Sequence, residues 1–347
     1  MKSAVTIGNW DIVMISIDNQ KIFRIIEERK PKSVALDGPD GLMSKIQKTA
    51  DIITERFEIP AYIIGDTCWG SCDLNIHAAN VLGAEILFNI GHTISMDSFG
   101  KEIIMIDAYE DRAFDEVAGR LAVELLKKNY RKISLLTISQ HLPQLDNVRR
   151  IFEQSGINVV IGNGRGQLND GQVFGCEFYP AHSELDKIDC FVFLGQSTFH
   201  SAGVALSTGK QTFMLDPYFQ EYTEVSSIAE KLHKKAILSI YKAADAQAIG
   251  IIIGIKDGQF AKVRALDLKK EFERAGLKVR LIGLTDITEE RMQIFSDIDA
   301  FVQVACPRIG IDNTFKKPML SVPQARALLR ILKKEPVEEV FHLSHWL

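Results

Sequence analysis

The stretch GDTCWGSCD, residues 65–73, lies between a predicted strand and a predicted helix. The β-branched apolar run AYII at 61–64 precedes it, and a helical pattern over 75–82 follows it. Open α/β sheets bind their ligands in loops of this kind, just beyond the carboxyl ends of strands. Two cysteines in the loop, Cys68 and Cys72, leave three interpretations open: a metal site, a redox pair or coincidence.

Strand and helix patterns alternate along the chain and form three successive blocks of βα units. The strands are continuous apolar runs, as parallel sheets buried on both faces require. We predict three similar Rossmann-like α/β domains with parallel sheets, at residues 1–110, 111–220 and 221–347. Strands are predicted at 33–37, 61–64, 85–90, 103–107, 132–137, 158–161, 190–194, 212–215, 248–255, 278–282 and 300–305, and helices at 22–29, 42–57, 75–82, 115–128, 145–154, 226–243, 261–275, 289–295 and 321–333.

The composition indicates a globular protein. The 347 residues are 46% apolar and 25% charged, with a net charge of −4. That balance does not favour a nucleic-acid binder, and no apolar run reaches membrane-spanning length. The first residues have no secretory signal pattern, so we expect a cytoplasmic protein. Five cysteines, an odd number, do not indicate a disulfide framework.

Each block carries one cysteine at a strand end or in a glycine-rich loop: Cys72, Cys176 and Cys306. If three similar domains surround a common centre, these thiols converge there. Three thiolates without a histidine suit an iron–sulfur cluster better than zinc. The common radical S-adenosylmethionine motif C-x3-C-x2-C is absent, because Asn75 stands at its third cysteine position. Cys190 lies inside a predicted strand, which is typical of a core residue.

Several stretches together resemble the Dph1/Dph2 family of diphthamide synthases. GDTCWGSCD resembles the family's G-D-x-x-Y-G-A-C-D pattern, and the other similar stretches follow in the family's order over about residues 30–330. They are LGA at 82–84, NIGHT at 89–93, GQVFGC at 171–176, FLG at 193–195, FHSAGVAL at 199–206, KDGQ at 256–259, ACPRIGID at 305–312 and PML at 318–320.

The resemblance implies three related α/β domains around one central 4Fe–4S cluster, bound by Cys72, Cys176 and Cys306. Cys68 falls where many members lack a cysteine, so it is interpreted as a spare thiol. The implied activity is that of an unconventional radical enzyme. Its reduced cluster cleaves the bond between the sulfur and the methionine γ-carbon of S-adenosylmethionine, and a 3-amino-3-carboxypropyl group is transferred to a histidine of translation elongation factor 2. This is the first step of diphthamide biosynthesis, and the archaeal form of the family is a homodimer.

No catalytic side chain is assigned. Loops equivalent to the cysteine loops supply the candidates for binding S-adenosylmethionine, and Arg308 is the candidate for its carboxylate. The candidates are Gly38, Gly41, Ser197, His200, Lys256, Gln259 and Arg308. Trp69 replaces the family's usual tyrosine, and the loop QST at 196–198 departs from the family pattern. The reductant remains unassigned.

Two alternatives remain open. Quinolinate synthase also arranges three α/β domains around a three-cysteine 4Fe–4S cluster, but it acts as a Lewis-acid dehydratase. The other alternative is a non-catalytic subunit that uses a cluster only to pass electrons. The presence of all three motif cysteines in one chain favours an enzyme.

Overall fold

The computed structural model describes residues 15–96, 98–99, 102–312, 314–337 and 339–346. Three parallel-stranded sheets lie one after another along the chain. We call the elements around the first sheet the first unit. They are β1 (Ile15–Ile17), α1 (Asn19–Arg29), β2 (Val34–Asp37), α2 (Met43–Phe57), β3 (Ala61–Ile63), α3 (Ile76–Val81), β4 (Ile86–Ile90), β5 (Ser98–Phe99), β6 (Ile103–Ile106) and β7 (Ala108–Glu110).

The second unit surrounds the second sheet. Its elements are α4 (Asp115–Lys127), β8 (Lys132–Thr137), α5 (Leu145–Gln154), β9 (Asn158–Val160), α6 (Tyr179–His182), β10 (Cys190–Leu194), α7 (Thr198–Thr208), β11 (Thr212–Asp216) and β12 (Glu221–Glu224). The third unit comprises α8 (Ser226–Ala243), β13 (Ala248–Gly254), α9 (Lys262–Arg274), β14 (Lys278–Leu284), α10 (Glu289–Gln293), β15 (Ala300–Gln303), α11 (Pro307–Ile311), β16 (Met319–Leu320) and α12 (Val322–Leu332).

All three sheets share one strand order. The parallel strands run β3-β2-β4-β6, β9-β8-β10-β11 and β14-β13-β15-β16, which is the order 2-1-3-4 within each unit. The short strands β5 and β12 add antiparallel edges to the first two sheets. The α/β class with parallel sheets is thus confirmed, whereas the domain limits at 110 and 220 remain a prediction.

Burial follows from this topology, because helices cover both faces of a parallel sheet. Every residue of β4 and of β10 is buried. The second and third units share a hydrophobic core that includes Phe193, Ile251 and Leu328, while the first unit has a core of its own around Ile46 and Phe88. The two later units therefore form one packed body through their cores. No described helix is long and apolar enough to cross a bilayer.

The sequence prediction was wrong about the stretch after β10. It placed Ser197, Thr198 and His200 in a loop, but α7 begins at Thr198, and Ser197 is its N-cap. The helix contains serine, glycine and threonine, which have modest helix propensities. It forms because eight successive residues, 201–208, are buried. Tertiary packing here outweighs local preference.

Candidate cluster site

Cys72, Cys176 and Cys306 all follow the carboxyl ends of parallel strands. Cys72 lies in the loop between β3 and α3, and Cys176 lies in the loop between β9 and α6. These loops are equivalent, since each follows the second parallel strand of its unit. Cys306 instead follows the third strand of its unit, β15, and it caps α11. The later position explains why Cys306 is 130 residues beyond Cys176 (306 − 176), whereas Cys176 is only 104 beyond Cys72 (176 − 72).

The three thiols influence one another's protonation. All are free thiols. Burial, followed by the charges of Cys306 and Asp73, raises the pKa of Cys72 to about 11. Burial also raises the pKa of Cys176 well above its ordinary value, and the charges of Cys306 and Cys72 act in the same direction. Cys306 acts on both of the other thiols, which places the three side chains in one region of the structure.

The donor set fits a cluster better than a single ion. No three His, Cys, Asp or Glu side chains of the described ranges are placed to hold one metal ion. A cubane cluster binds each cysteine through a different iron, so its ligand sulfurs lie farther apart than those around one ion. Three thiols from three loops would suit such a cluster and would leave one iron without a protein ligand.

Backbone groups assist Cys306. It lies at the start of α11, where the N–H groups of Arg308 and Ile309 hydrogen-bond to it. Burial raises the pKa of the Cys306 thiol, and these two N–H groups and the Arg308 guanidinium partly oppose that rise. Proline at position 307 suits the first turn of α11, because an N–H at this position would have no acceptor within the helix.

The loop after β13 connects the third unit to Cys72. Lys256 Nζ lies 2.7 Å from Oδ1 of Asp73, which is fully buried. A Cβ on Gly258 would lie 2.5 Å from both the Cα and the carbonyl oxygen of Cys72, so the two backbones are in direct contact. The side chain of Gln259 lowers the pKa of Cys72, against the rise that burial causes. Lys256 and Gln259 were predicted to bind S-adenosylmethionine, and here they are partners of the Cys72 loop.

Arg308 lies between the second and third units. Its Nε and Nη2 donate to the Asp312 carboxylate at 3.0 and 2.8 Å, and its Nη1 donates to the Phe199 carbonyl at 2.6 Å. The residue is only 3% exposed. These contacts favour a structural role over the predicted role of binding a free carboxylate.

Ser197 and His200 form a pair at the start of α7. Ser197 Oγ and His200 Nδ1 are 2.6 Å apart, and the imidazole lies parallel to the Phe193 ring at 6.3 Å. Burial, and after it the positive charge of Arg308, lower the pKa of His200 to about 3. A neutral imidazole beside a hydroxyl can donate or accept a hydrogen bond, so both predicted residues remain candidates for a substrate contact.

The two predicted glycines of the first unit differ in accessibility. Gly38 is buried, and a Cβ there would lie 2.7 Å from the Ile90 carbonyl oxygen. Gly41 is exposed, with no atom within 4 Å of the position that a Cβ would take. Gly38 therefore permits close strand-end packing, and Gly41 alone of this pair faces open space.

Comparison with known proteins identifies the family. A family model described as "Putative diphthamide synthesis protein" matches residues 38–340. The chain belongs to the diphthamide synthesis protein family. It is 28% identical to the 2-(3-amino-3-carboxypropyl)histidine synthase of Pyrococcus horikoshii over 93% of each chain. It is 27% identical to subunit 1 of the corresponding synthase from Caenorhabditis elegans, over 85% of this chain and 75% of that one.

A solved structure agrees with this assignment. The crystal structure of Dph2 from Pyrococcus horikoshii with a 4Fe–4S cluster superposes with a TM-score of 0.84, at 28% identity, over 94% of this chain and 95% of that one. The predicted resemblance to the diphthamide synthase family is therefore confirmed, and so is the α/β fold class.

In this member of the diphthamide synthesis family, Cys68 belongs to a different group from Cys72. Its buried sulfur accepts from Asn89 Nδ2 at 3.3 Å and lies 3.6 Å from His92 Nδ1. Asn89 also donates to the Asp37 carboxylate, at 3.4 Å. We call Asp37, Cys68, Asn89 and His92 the polar cluster of the first unit. No sequence pattern joins these residues, because they come from three separate strand ends.

In this diphthamide synthesis family member, the segment 344–346 pairs with the loop that carries Cys176. The backbone N–H of Trp346 donates to the carbonyl of Cys176 at 3.0 Å, and the N–H of Phe178 donates to the Ser344 carbonyl at 2.8 Å. The Trp346 side chain is buried against Phe178. The loop is thus paired at Cys176 and just after it, a contact that no sequence pattern predicted.

Proposed function

We propose that this protein is a 2-(3-amino-3-carboxypropyl)histidine synthase. It transfers the 3-amino-3-carboxypropyl group of S-adenosylmethionine to a histidine of translation elongation factor 2, the first step of diphthamide biosynthesis. The observation that carries the proposal is that Cys306 raises the pKa of both Cys72 and Cys176, which supports a common site for three free thiols, one from each unit. The names of the relatives support the same reaction.

The proposed cofactor is a 4Fe–4S cluster held by Cys72, Cys176 and Cys306. When bound, it supplies the single electron for reductive cleavage of the bond between the sulfur and the methionine γ-carbon. The raised pKa values mean that the thiols carry their protons before the cluster binds, so the protein releases protons as it is loaded. The backbone N–H groups at the start of α11 stabilise Cys306 as a thiolate.

The chain's own residues would bind and orient S-adenosylmethionine. Two predicted cations already have partners: Lys256 pairs with Asp73, and Arg308 pairs with Asp312. Ser197 and His200 offer neutral hydrogen-bonding groups, and Gly41 offers open space. We therefore propose that neutral groups, more than these two cations, orient the substrate.

The proposed partners follow from the reaction. Elongation factor 2 is the protein substrate, an electron donor must reduce the cluster, and the proposed compartment is the cytoplasm, where that factor works. A homodimer is proposed from the resemblance to the archaeal form. Light scattering of the purified protein tests the homodimer directly.

Anaerobic reconstitution with iron and sulfide, followed by dithionite and S-adenosylmethionine, tests the reaction. Methylthioadenosine or homocysteine sulfinate should form. Cys306→Ala should lose cluster and products together. Cys190→Ala is the matched control, because Cys190 is buried inside β10 and should leave both unchanged.

The same experiment separates the alternatives. A full cluster with no cleavage of S-adenosylmethionine would contradict the transferase and favour the electron-passing subunit or the dehydratase. Membership of the diphthamide synthesis family favours the transferase over the quinolinate synthase alternative.

A further inference from the structure

Arg308 is a buried cation at the junction of the second and third units. Its guanidinium forms a bidentate pair with Asp312 four residues along, in the third unit. Its remaining contacts cross to the second unit, where Nη1 donates to the Phe199 carbonyl at 2.6 Å and the guanidinium carbon lies 3.9 Å above the centre of the Phe199 ring. Arginine suits this position, because its planar fork can pair with a carboxylate and stack on an aromatic ring at the same time.

Phe199 continues the contact towards Cys176. Its ring occupies the space above Gly175, since a Cβ there would lie 1.8 Å from a ring carbon. Gly175 immediately precedes Cys176, and Arg308 is two residues beyond Cys306. A continuous series of contacts therefore runs from one cysteine loop, through an aromatic ring and a guanidinium, to the other.

Gly203 in α7 makes room for this arrangement. A Cβ at that position would lie 2.9 Å from Arg308 Nη1 and 2.9 Å from the ring of Phe178. The Phe178 ring is fully buried, and the guanidinium is held by three hydrogen bonds, so neither neighbour can move freely. The glycine is thus explained by the passage of Arg308 and Phe178 beside the helix.

We propose that Phe199 and Arg308 form a clamp between the second and third units that fixes the Cys176 loop relative to the Cys306 loop. Both are positioning residues, and their effect on the cluster rests on the proposed function. Cluster ligands from separate units must be held in register by contacts outside the ligand set. Partners of this kind are typically worth about 10–100-fold in metal affinity or activity.

The structure argues against binding of a substrate carboxylate by Arg308. The side that would receive a second carboxylate is taken by Asp312, one face lies against Phe199, and the side chain is 4% exposed. A substrate would have to displace an existing bidentate pair. The clamp needs no such exchange.

The test compares two identical glycine-to-alanine changes inside helices. Gly203→Ala should displace the clamp, whereas Gly119→Ala in α4 has no atom within 4 Å of the new methyl group and is the control. Arg308→Lys keeps the charge but loses the fork, and Arg308→Met loses both. After anaerobic reconstitution, the half-life of the cluster under a chelator should fall about 10–100-fold in Gly203→Ala and Arg308→Met. It should fall less in Arg308→Lys and not at all in Gly119→Ala.

A second readout does not depend on the cluster. Treatment of the cluster-free protein with dibromobimane, a short thiol cross-linker, should join the Cys176 and Cys306 peptides in the wild type, as mass spectrometry will show. That product should fall several-fold in Gly203→Ala and Arg308→Met. If the wild type binds no cluster yet the cross-link falls, the proposed function fails and the clamp stands.

Two outcomes would overturn the clamp. One is unchanged cross-linking and cluster lifetime in Gly203→Ala and Arg308→Met. The other is an intact, normally lived cluster in Arg308→Lys and Arg308→Met together with lost binding of S-adenosylmethionine by calorimetry, which would make Arg308 a substrate ligand. Thermal unfolding of each variant identifies any that fails to fold, and Gly203→Ala leaves the guanidinium chemistry untouched.

Discussion

Lys256 Nζ lies 2.7 Å from Oδ1 of Asp73, so an ion pair joins the third unit to the residue after Cys72. The Asp73 side chain is 0% exposed, and its other oxygen accepts from the Trp69 N–H at 3.1 Å. Burial lowers the pKa of Lys256, but the hydrogen bond and charge of Asp73 more than offset this, and the pKa is raised overall. The first and third units are therefore connected by an ion pair between a fully buried carboxylate and an ammonium that is 14% exposed.

Replacing Lys256 with methionine should destabilise the protein. The change leaves the Asp73 carboxylate buried without its counterion, which typically costs about 3–5 kcal/mol in the free energy of unfolding. Urea unfolding of the cluster-free protein measures the loss. Lys270→Met is the control, since both partners of its pair with Asp267 are exposed and such a surface pair is worth less than about 1 kcal/mol. Equal losses in the two variants would show that Asp73 does not depend on Lys256.

Gly258→Ala should separate the third-unit loop from Cys72. The added methyl group would lie 2.5 Å from the Cys72 backbone, which cannot yield as a flexible side chain does. Iron and sulfide bound per chain should fall after reconstitution. Gly65→Ala is the control, because nothing lies within 4 Å of its new methyl group. Full iron content in Gly258→Ala would mean that this contact is dispensable.

Cys68→Ala should separate stability from cluster binding. Cys68 is buried and accepts a hydrogen bond from Asn89, so its loss leaves a buried amide without one of its partners. An unsatisfied buried group typically costs about 1–3 kcal/mol. The variant should therefore unfold at lower urea concentration but keep its iron, whereas Cys72→Ala should lose iron. Loss of iron from Cys68→Ala would place Cys68 among the ligands.

His92 should make the protein less stable in mild acid. Burial lowers its pKa from the ordinary value of 6.5 to about 4. As the pH falls below 6.5, His92 is protonated in the unfolded chain but stays neutral in the folded protein. The unfolded state is therefore favoured progressively, and the free energy of unfolding falls until about pH 4. Urea midpoints between pH 7 and 4 should decline less steeply in His92→Gln than in the wild type. His77→Gln, on the exposed side of α3, should keep the wild-type slope.

Elements with a clear apolar pattern were predictable from the sequence. The predicted bounds of β8, α5, β10 and α8 agree with the structure, because the two strands are apolar runs and the two helices repeat their apolar residues with a helical period. Helix α11 was not predicted, since its five residues directly after Cys306 are too few to show a period. The shared 2-1-3-4 strand order was not predictable, because apolar runs identify strands but not which strands pair.

The three candidate cysteines could be named from the sequence, but the contacts that support their loops could not. The three cysteines followed from the motifs, and their assignment as cluster ligands remains a prediction. The pairing of Lys256 with Asp73 joins residues 183 positions apart (256 − 73), which no local pattern encodes. Arg308 looked available for a carboxylate because its partner Asp312, although one helical turn away, was not paired with it.

The pairing of residues 344–346 with the Cys176 loop sets an order of events during synthesis. A nascent chain extended to residue 306 already holds all three cysteines, yet it lacks the segment that hydrogen-bonds to Cys176 and Phe178. Residue 346 emerges 170 residues after Cys176 (346 − 176). The Cys176 loop therefore lacks part of its support until residues 344–346 have been synthesised. Iron–sulfur loading is expected to follow translation and not to accompany it.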